Sequence, residues 1–397
     1  MDDDDDEDSA ATVFGEHLVY TILYPSSSET TDDNTTDDRK SSLDAIKEIL
    51  DNGAPVWYQN QEEGTSPLHA AAYTKNPELA KILLERGAVW NAVDRWGHTA
   101  GDIALSFNDG ETYTLIRDAG IRAELLLNLL SFKAHKESTS TNGGVNETNG
   151  LLLQEADTTA AGSTDAYLSS KLTYTVDDHG QKVCMVEAGE GEEVGVMMGW
   201  EEGIMKESVK RLCEGHPNAQ GLRVLNVGFG LGIIDTLFQS LATPPKTHVI
   251  IEPHPDVLQH MKETGWYEKP GVTILQGKWQ DFVGKEELYV SGGFDVVYTD
   301  TFSEDYAALH QFFEQVPDLL AGPDARFSFF NGLGATNALF YDVYTHVSEL
   351  HLSDIGLDVE WSDVDVTDDV EDRWGKSREY FRLPTYRLPV AIIKSIQ

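Results

Sequence analysis

The sequence predicts two unlike parts in one chain: a small all-α repeat module, then a larger α/β domain with a doubly wound, mostly parallel sheet. Three observations carry that prediction. Glycines recur at intervals of 33 or 34 residues, at Gly53, Gly87 and Gly120 and again at Gly64 and Gly97. Strand-like and helix-like runs alternate from about residue 166 onward. One strand-like run leads directly into a glycine turn and then a helical stretch, Val224-Leu225-Asn226-Val227-Gly228-Phe229-Gly230-Leu231-Gly232. A chain of 397 residues is long enough to hold two separate cores.

The charge balance narrows the partners. With 29 basic and 68 acidic residues the formal net charge is −39. Such a surface opposes a nucleic-acid backbone, which calls for basic patches, so no direct nucleic-acid binding is expected. It suits a basic protein, whose encounter a negative field accelerates; the plainer alternative, acidic tails that only maintain solubility, stays open. Cys184 and Cys213 make neither a disulfide framework nor a metal-ligand spacing, and no metal site is expected. Residues 2 to 8 are all acidic, the opposite of a signal peptide. No apolar run approaches the ~20 residues that span a bilayer. The expected location is cytoplasmic and nuclear, with no membrane partner; the oligomeric state is open.

Residues 1–40, rich in Asp, Ser and Thr, read as an acidic, largely disordered tail with one short ordered piece around 13–24. Residues 41–132 carry the glycine period. Within it, Gly64-Thr65-Ser66-Pro67-Leu68-His69-Ala70-Ala71 is close to the T-P-L-H-x-A signature of ankyrin repeats, displaced by one inserted-looking Ser. Leu79, Ile82, Leu83 and Leu84 supply a helical apolar face, and the stretch 91–99 resembles the turn that opens a second repeat. Each repeat leaves an apolar face open, so 121–132 is expected as a capping helix. Such a module is a binding scaffold or a structural support. Residues 133–165 read as a flexible linker, since eleven of the thirteen residues in 138–150 are Ser, Thr, Asn or Gly.

In residues 166–397, strands are expected at 223–227, 248–251, 272–275, 294–299 and 326–330, with helices at 233–241 and 306–320 between them. Two further strands, near 357–361 and 386–393, follow the alternation. A late hairpin of that kind suggests the Rossmann-like, seven-stranded sheet of class I methyltransferases more than a plain dinucleotide fold.

The glycine turn discriminates further. A dinucleotide fingerprint requires a third glycine where this chain has Ile233, and no Gly-Lys-Ser/Thr run marks a P-loop. The next strand ends in Glu252, 24 residues after Gly228. A carboxylate there can accept hydrogen bonds from both hydroxyls of a ribose, although acids at strand ends are often merely solvated. Trp279, in Gly277-Lys278-Trp279-Gln280-Asp281, is a candidate to stack on an adenine or to serve as core. Asp300 ends the fourth strand, beside the crevice where open parallel sheets bind ligands, or else caps the following helix. The run 196–205 gathers Met197, Met198, Trp200, Glu201 and Met205, and reads equally as a core helix filled by methionine.

On these motifs residues 166–397 resemble the guanidinoacetate methyltransferase group, with its V-M-x-x-W-E-x-x-x-M run, V-G-F-G and Y-D-T. The matches here are Val196-Met197, Trp200-Glu201 and Met205, then Val227-Gly228-Phe229-Gly230, then Thr299-Asp300-Thr301. With the ankyrin module in front, the chain from about residue 41 is similar to the fungal protein arginine N5-methyltransferases (type IV). That resemblance implies S-adenosyl-L-methionine as methyl donor, S-adenosyl-L-homocysteine as product, and a basic protein substrate, a ribosomal protein being one candidate. It implies that Met197 and Met205 contact the donor, that Phe229, Gly230, Leu231, Gly232, Ile233 and Ile234 wrap its methionine portion after Gly228, and that Glu252, Pro253 and His254 take the ribose. Trp279 and Gln280 meet the adenine, Tyr167 covers the donor, and Glu201 and Asp300 act as the catalytic pair on the guanidinium, Asp300 also facing the donor.

Two departures stand out: Asn226 occupies the place where methyltransferases commonly have an acid, and Glu202-Gly203 replaces a Thr-Pro. The competing readings are a small-molecule guanidino methyltransferase and an ankyrin adaptor with a silent methyltransferase domain.

Overall fold

Ser66 and Thr99 stand 33 residues apart and start their helices in the same way. The Ser66 hydroxyl accepts the His69 N–H at 3.3 Å while the Ser66 N–H donates to His69 Nδ1 at 3.2 Å. The Thr99 hydroxyl accepts the Asp102 N–H at 3.1 Å, and Asp102 accepts the Thr99 N–H at 2.8 Å. Both are reciprocal capping boxes. Ser66 is therefore no insertion: it performs the threonine's role in the signature, with Pro67 at the first helical position. His69 Nε2 then reaches the His98 carbonyl at 3.1 Å, tying one repeat's helix to the next repeat's turn.

The computed structural model describes residues 4–25, 35–138, 158–178, 180–188, 193–289, 292–367, 374 and 377–394. It divides into two compact units, residues 1–141 with 338–347, and residues 142–337 with 348–397. The first contains α1 (Asp4–Leu23), α2 (Thr35–Asp51), α3 (Pro67–Tyr73), α4 (Pro77–Glu85), α5 (Ala100–Ser106) and α6 (Gly110–Ser138). Leu18, Val19 and Ile22 of α1 are buried, so the ordered piece inside the expected acidic tail is a twenty-residue helix. Gly120 ends no helix; it lies inside α6, where a Cβ would meet the Trp90 ring at 2.8 Å. The capping helix expected at 121–132 is the later part of that element. Residues 133–138 of the expected linker are also helical, while 139–157 lie outside the described residues. No described helix is long and apolar enough to cross a membrane.

The second unit opens with α7 (Thr164–Ser169) and a three-stranded antiparallel sheet of β1 (Leu172–Val176), β2 (Lys182–Glu187) and β3 (Glu193–Met198). The run 196–205 is thus a strand end, a tight turn at Gly199–Glu201 and the start of α8 (Glu202–Cys213), not one helix. There follow β4 (Arg223–Val227), α9 (Ile233–Gln239), β5 (Thr247–Glu252), α10 (Pro255–Glu263), β6 (Val272–Gln276), β7 (Val296–Thr299), α11 (Tyr306–Leu319), β8 (Arg326–Phe329), α12 (Ala338–Asp354, whose residues 338–347 are counted with the first unit), β9 (Leu357–Asp365) and β10 (Thr385–Ile393).

The large sheet has the order β6-β5-β4-β7-β8-β10-β9. Its β4, β5, β6, β7 and β8 pair in parallel, and the late hairpin β9–β10 joins antiparallel. Both faces are covered, as parallel sheets require. Leu225 and Val227 point to the side of Phe312, Phe313 and Val316. Val224 points to that of Met205, Val209 and Phe238. Strand order reverses between β4 and β7, so the crevice at their carboxyl ends is where such a sheet binds ligands.

Candidate active site

The glycine turn after β4 is built by close backbone approach. Gly228 has φ +91°, and a Cβ there would lie 1.9 Å from the Asp300 carbonyl oxygen. Only glycine admits both that torsion and that neighbour. At Gly230 a Cβ would meet the Met197 sulfur at 2.9 Å.

Asn226 shows how the turn holds without the expected acid. Its amide donates to the Gly228 carbonyl at 2.7 Å and to Asp235 of α9 at 2.8 Å. Asp235 in turn meets His248 Nε2 at 2.9 Å, and Asn226, Asp235 and His248 are all fully buried. The carboxylate missing from β4 is supplied from α9.

Glu252, at the end of β5, accepts the Phe229 N–H at 2.9 Å and the His254 N–H at 2.7 Å, one on each oxygen. Burial pushes its pKa up to about 7, against the pull of those N–H groups. The Gly230 N–H pulls on it as well, so of the carboxylate's acceptor positions not all are taken up. Around it the Tyr167 ring lies 4.7 Å from His254 and 4.9 Å from Phe302.

A first cavity is lined by Tyr167, Met197, Gly228, Phe229, Gly230, Glu252, Pro253, Trp279 and Asp300, together with Thr164, Lys278, Phe302 and Glu304. Seven residues expected to hold the donor do not line it. Met205 is fully buried in the core, where its sulfur accepts the Tyr298 hydroxyl at 3.3 Å. Ile233 and Ile234 pack into that same cluster. Leu231 turns its N–H onto Met197 Sδ, and Gly232 caps α9. His254 is committed to the Tyr167 carbonyl and the Asp256 N–H. Gln280 is exposed and donates to Glu304.

Glu304, which sequence reasoning did not single out, accepts from Trp279 Nε1 at 3.1 Å, Gln280 Nε2 at 2.9 Å and Thr301 Oγ1 at 2.7 Å. With Asp300 it also lines a second cavity of about 370 Å³. There the walls bring in Glu201, Asp305, Glu379 and Tyr380, so five acidic residues line it together with Arg378. Glu201, only 3% exposed, accepts the Met198 N–H at 3.1 Å and a hydrogen bond from the Tyr380 hydroxyl. Burial first and the charge of Asp300 second raise its pKa to about 8; burial raises Asp300 to about 7. Two acids held this way have strong affinity for a cation. Tyr380 was invisible to motif reading because its partner lies 179 residues away. Its ring packs against Trp200 and Trp374, at centroid distances of 5.8 and 4.6 Å.

Residues 49–104 match the ankyrin-repeat model, and residues 191–350 match guanidinoacetate N-methyltransferase. Three relatives, each called protein arginine N-methyltransferase 2, align over most of their length. That of Cryptococcus neoformans is 44% identical, covering 87% of this chain and 90% of its own. That of Aspergillus fumigatus is 36% identical, over 87% and 91%. That of Saccharomyces cerevisiae is 35% identical, over 83% and 84%. A class I methyltransferase sheet, a paired-acid cavity at its switch point and repeats in front coincide in one chain, which belongs to the fungal protein arginine N-methyltransferase 2 family.

Proposed function

We propose that the enzyme takes its methyl group from S-adenosyl-L-methionine, releasing S-adenosyl-L-homocysteine, and transfers it to the internal (delta, N5) guanidino nitrogen of arginine in a basic protein. The observation that carries this reading is the shared wall of the two cavities: Asp300 lines both, with Glu201 across the second. The first cavity suits a nucleoside. Bare glycine backbone leaves room where a Cβ would intrude, Glu252 presents a carboxylate to the ligand's hydroxyls, and Trp279 offers an aromatic wall. When bound, such a donor supplies a methyl carbon made electrophilic by its sulfonium.

The chain's own residues do the rest. A guanidinium is planar, cationic and a poor nucleophile. Glu201, fixed by Tyr380 and the Met198 N–H, pairs with the terminal nitrogens, fork to carboxylate. The internal nitrogen, with its single N–H, is then left to Asp300, which accepts that proton as the new C–N bond forms. Charge is conserved at the substrate, since a methyl replaces a proton. The cavity orients the guanidinium so that little freedom remains to be lost at the moment of transfer. The ankyrin repeats assist docking of the protein substrate, a ribosomal protein being one candidate, in the cytoplasm and nucleus.

The test is mass spectrometry of basic protein fractions, and of free guanidino acids, incubated with isotope-labelled donor. Fragmentation is expected to locate the methyl on the internal nitrogen of a protein arginine. Methylation confined to free guanidino acids, or to terminal nitrogens, refutes the reading. Asp300→Asn is expected to abolish transfer and to leave donor affinity within a few-fold.

A further inference from the structure

The repeat-bearing unit has a groove of about 470 Å³ between α1 and the turn that precedes α3, lined among others by Glu16, Tyr20, Tyr24, Tyr58 and Glu63. Its floor is set by Gly15: a Cβ there would meet the Tyr58 ring at 2.2 Å, so the helix backbone rests directly on that ring. Tyr58 is 5% exposed, and its hydroxyl lines the groove beside Glu16; burial first and that carboxylate second raise its pKa. Tyr20 and Tyr24, by contrast, are 62% and 63% exposed, and their rings pair 4.9 Å apart. Asn60 accepts the Glu62 and Glu63 N–H groups at 2.8 and 2.9 Å and so fixes the acidic turn. Neither Glu16 nor Glu63 has an ion-pair partner among the described residues.

We propose that this groove docks an arginine- or lysine-bearing segment of the protein substrate, separately from the cavity that receives the arginine to be methylated. The partner's identity rests on the reading of this chain as a protein arginine methyltransferase; the chemistry rests on the groove. Tyrosine faces attract cationic groups, and carboxylates pair with guanidinium or ammonium in charge-assisted hydrogen bonds. The buried Tyr58 hydroxyl offers a further acceptor to an incoming N–H. The volume fits a few side chains rather than a folded domain, and the chain's charge of −39 favours the encounter.

The test uses the full-length chain and a fluorescein-labelled decapeptide of alternating arginine and glycine, followed by fluorescence anisotropy. The double variants Tyr20→Ala/Tyr24→Ala and Glu16→Gln/Glu63→Gln are each expected to weaken binding threefold or more, with unchanged circular dichroism. The tyrosines are exposed, so their truncation removes little core packing. A loss below threefold in either double variant overturns the proposal. Equal affinity for a glutamate-glycine decapeptide does the same. Failure of the catalytic reading shows itself differently, as intact peptide binding with no methyl transfer by the unaltered enzyme.

Discussion

Replacing Tyr380 by Phe removes one hydroxyl and leaves the ring packed between Trp200 and Trp374. The hydroxyl's work is electrostatic: its hydrogen bond favours the ionised form of Glu201, whose pKa nevertheless stands at about 8. A hydrogen bond to a charged group is worth about 1.5–3 kcal/mol, and each pKa unit corresponds to about 1.36 kcal/mol. Its loss should therefore move the ionisation up by about one to two units. Under the proposed roles the ionised carboxylate is the active form, so the rate is expected to rise with pH through this ionisation, and the acid limb to shift toward alkali in the variant. At neutral pH about a tenth of Glu201 is ionised in the unaltered enzyme, and roughly ten to a hundred times less in Tyr380→Phe. The assay is kcat/KM for an arginine peptide across pH, which reports the free enzyme. The apparent values belong to the Glu201–Asp300 pair jointly. An acid limb that stays put, or a loss that is the same factor at every pH, refutes the argument.

Gly228→Ala is expected to reduce donor affinity at least tenfold by calorimetry, because the new Cβ would collide with the Asp300 carbonyl 1.9 Å away. Asn226→Asp puts the commonplace acid back on β4, but against the fully buried Asp235 that Asn226 now serves as donor. The outcome should be a loss of about 2–4 kcal/mol in denaturant unfolding, from an uncompensated buried charge. Ser66→Ala should cost about 1 kcal/mol through its lost cap and Ser66→Thr almost nothing, compared by melting temperature. Glu201 binds its proton more tightly folded than unfolded, so its contribution to stability should fall as pH rises from about 4.5 to about 8; titrating unfolding free energy in Glu201→Gln removes that slope.

The parts of the fold that were legible in the sequence are those whose residues answer to one local rule. Parallel strands buried on both faces are continuous apolar runs, so β4, β5 and β7 announce themselves. The repeats are legible through the capping chemistry of Pro67-Leu68-His69. The small sheet β1–β3 escaped because β1 is mostly solvent-facing and β3 carries the methionines that also fill helices. Met197 and Met205 are chemically alike, yet one ends a strand at a cavity and the other starts a helix in the core. Sequence position alone does not separate them. Tyr380, Glu304 and the Asp235–His248 pair were hidden for another reason: each acts through a partner that only the folded chain brings near.

Glu304 touches both compartments at once. Its carboxylate accepts from Trp279, which lines the first cavity, and from Thr301, which lines both, so a ligand that reorders one contact is expected to alter the other. Should the proposed donor and peptide both bind here, thermodynamic reciprocity predicts that the affinity for one depends on the other, by the same factor in each direction. A family enzyme built this way should release its spent nucleoside on a schedule set by its protein client, and cutting that one side chain back to alanine should make the two ligands indifferent to each other.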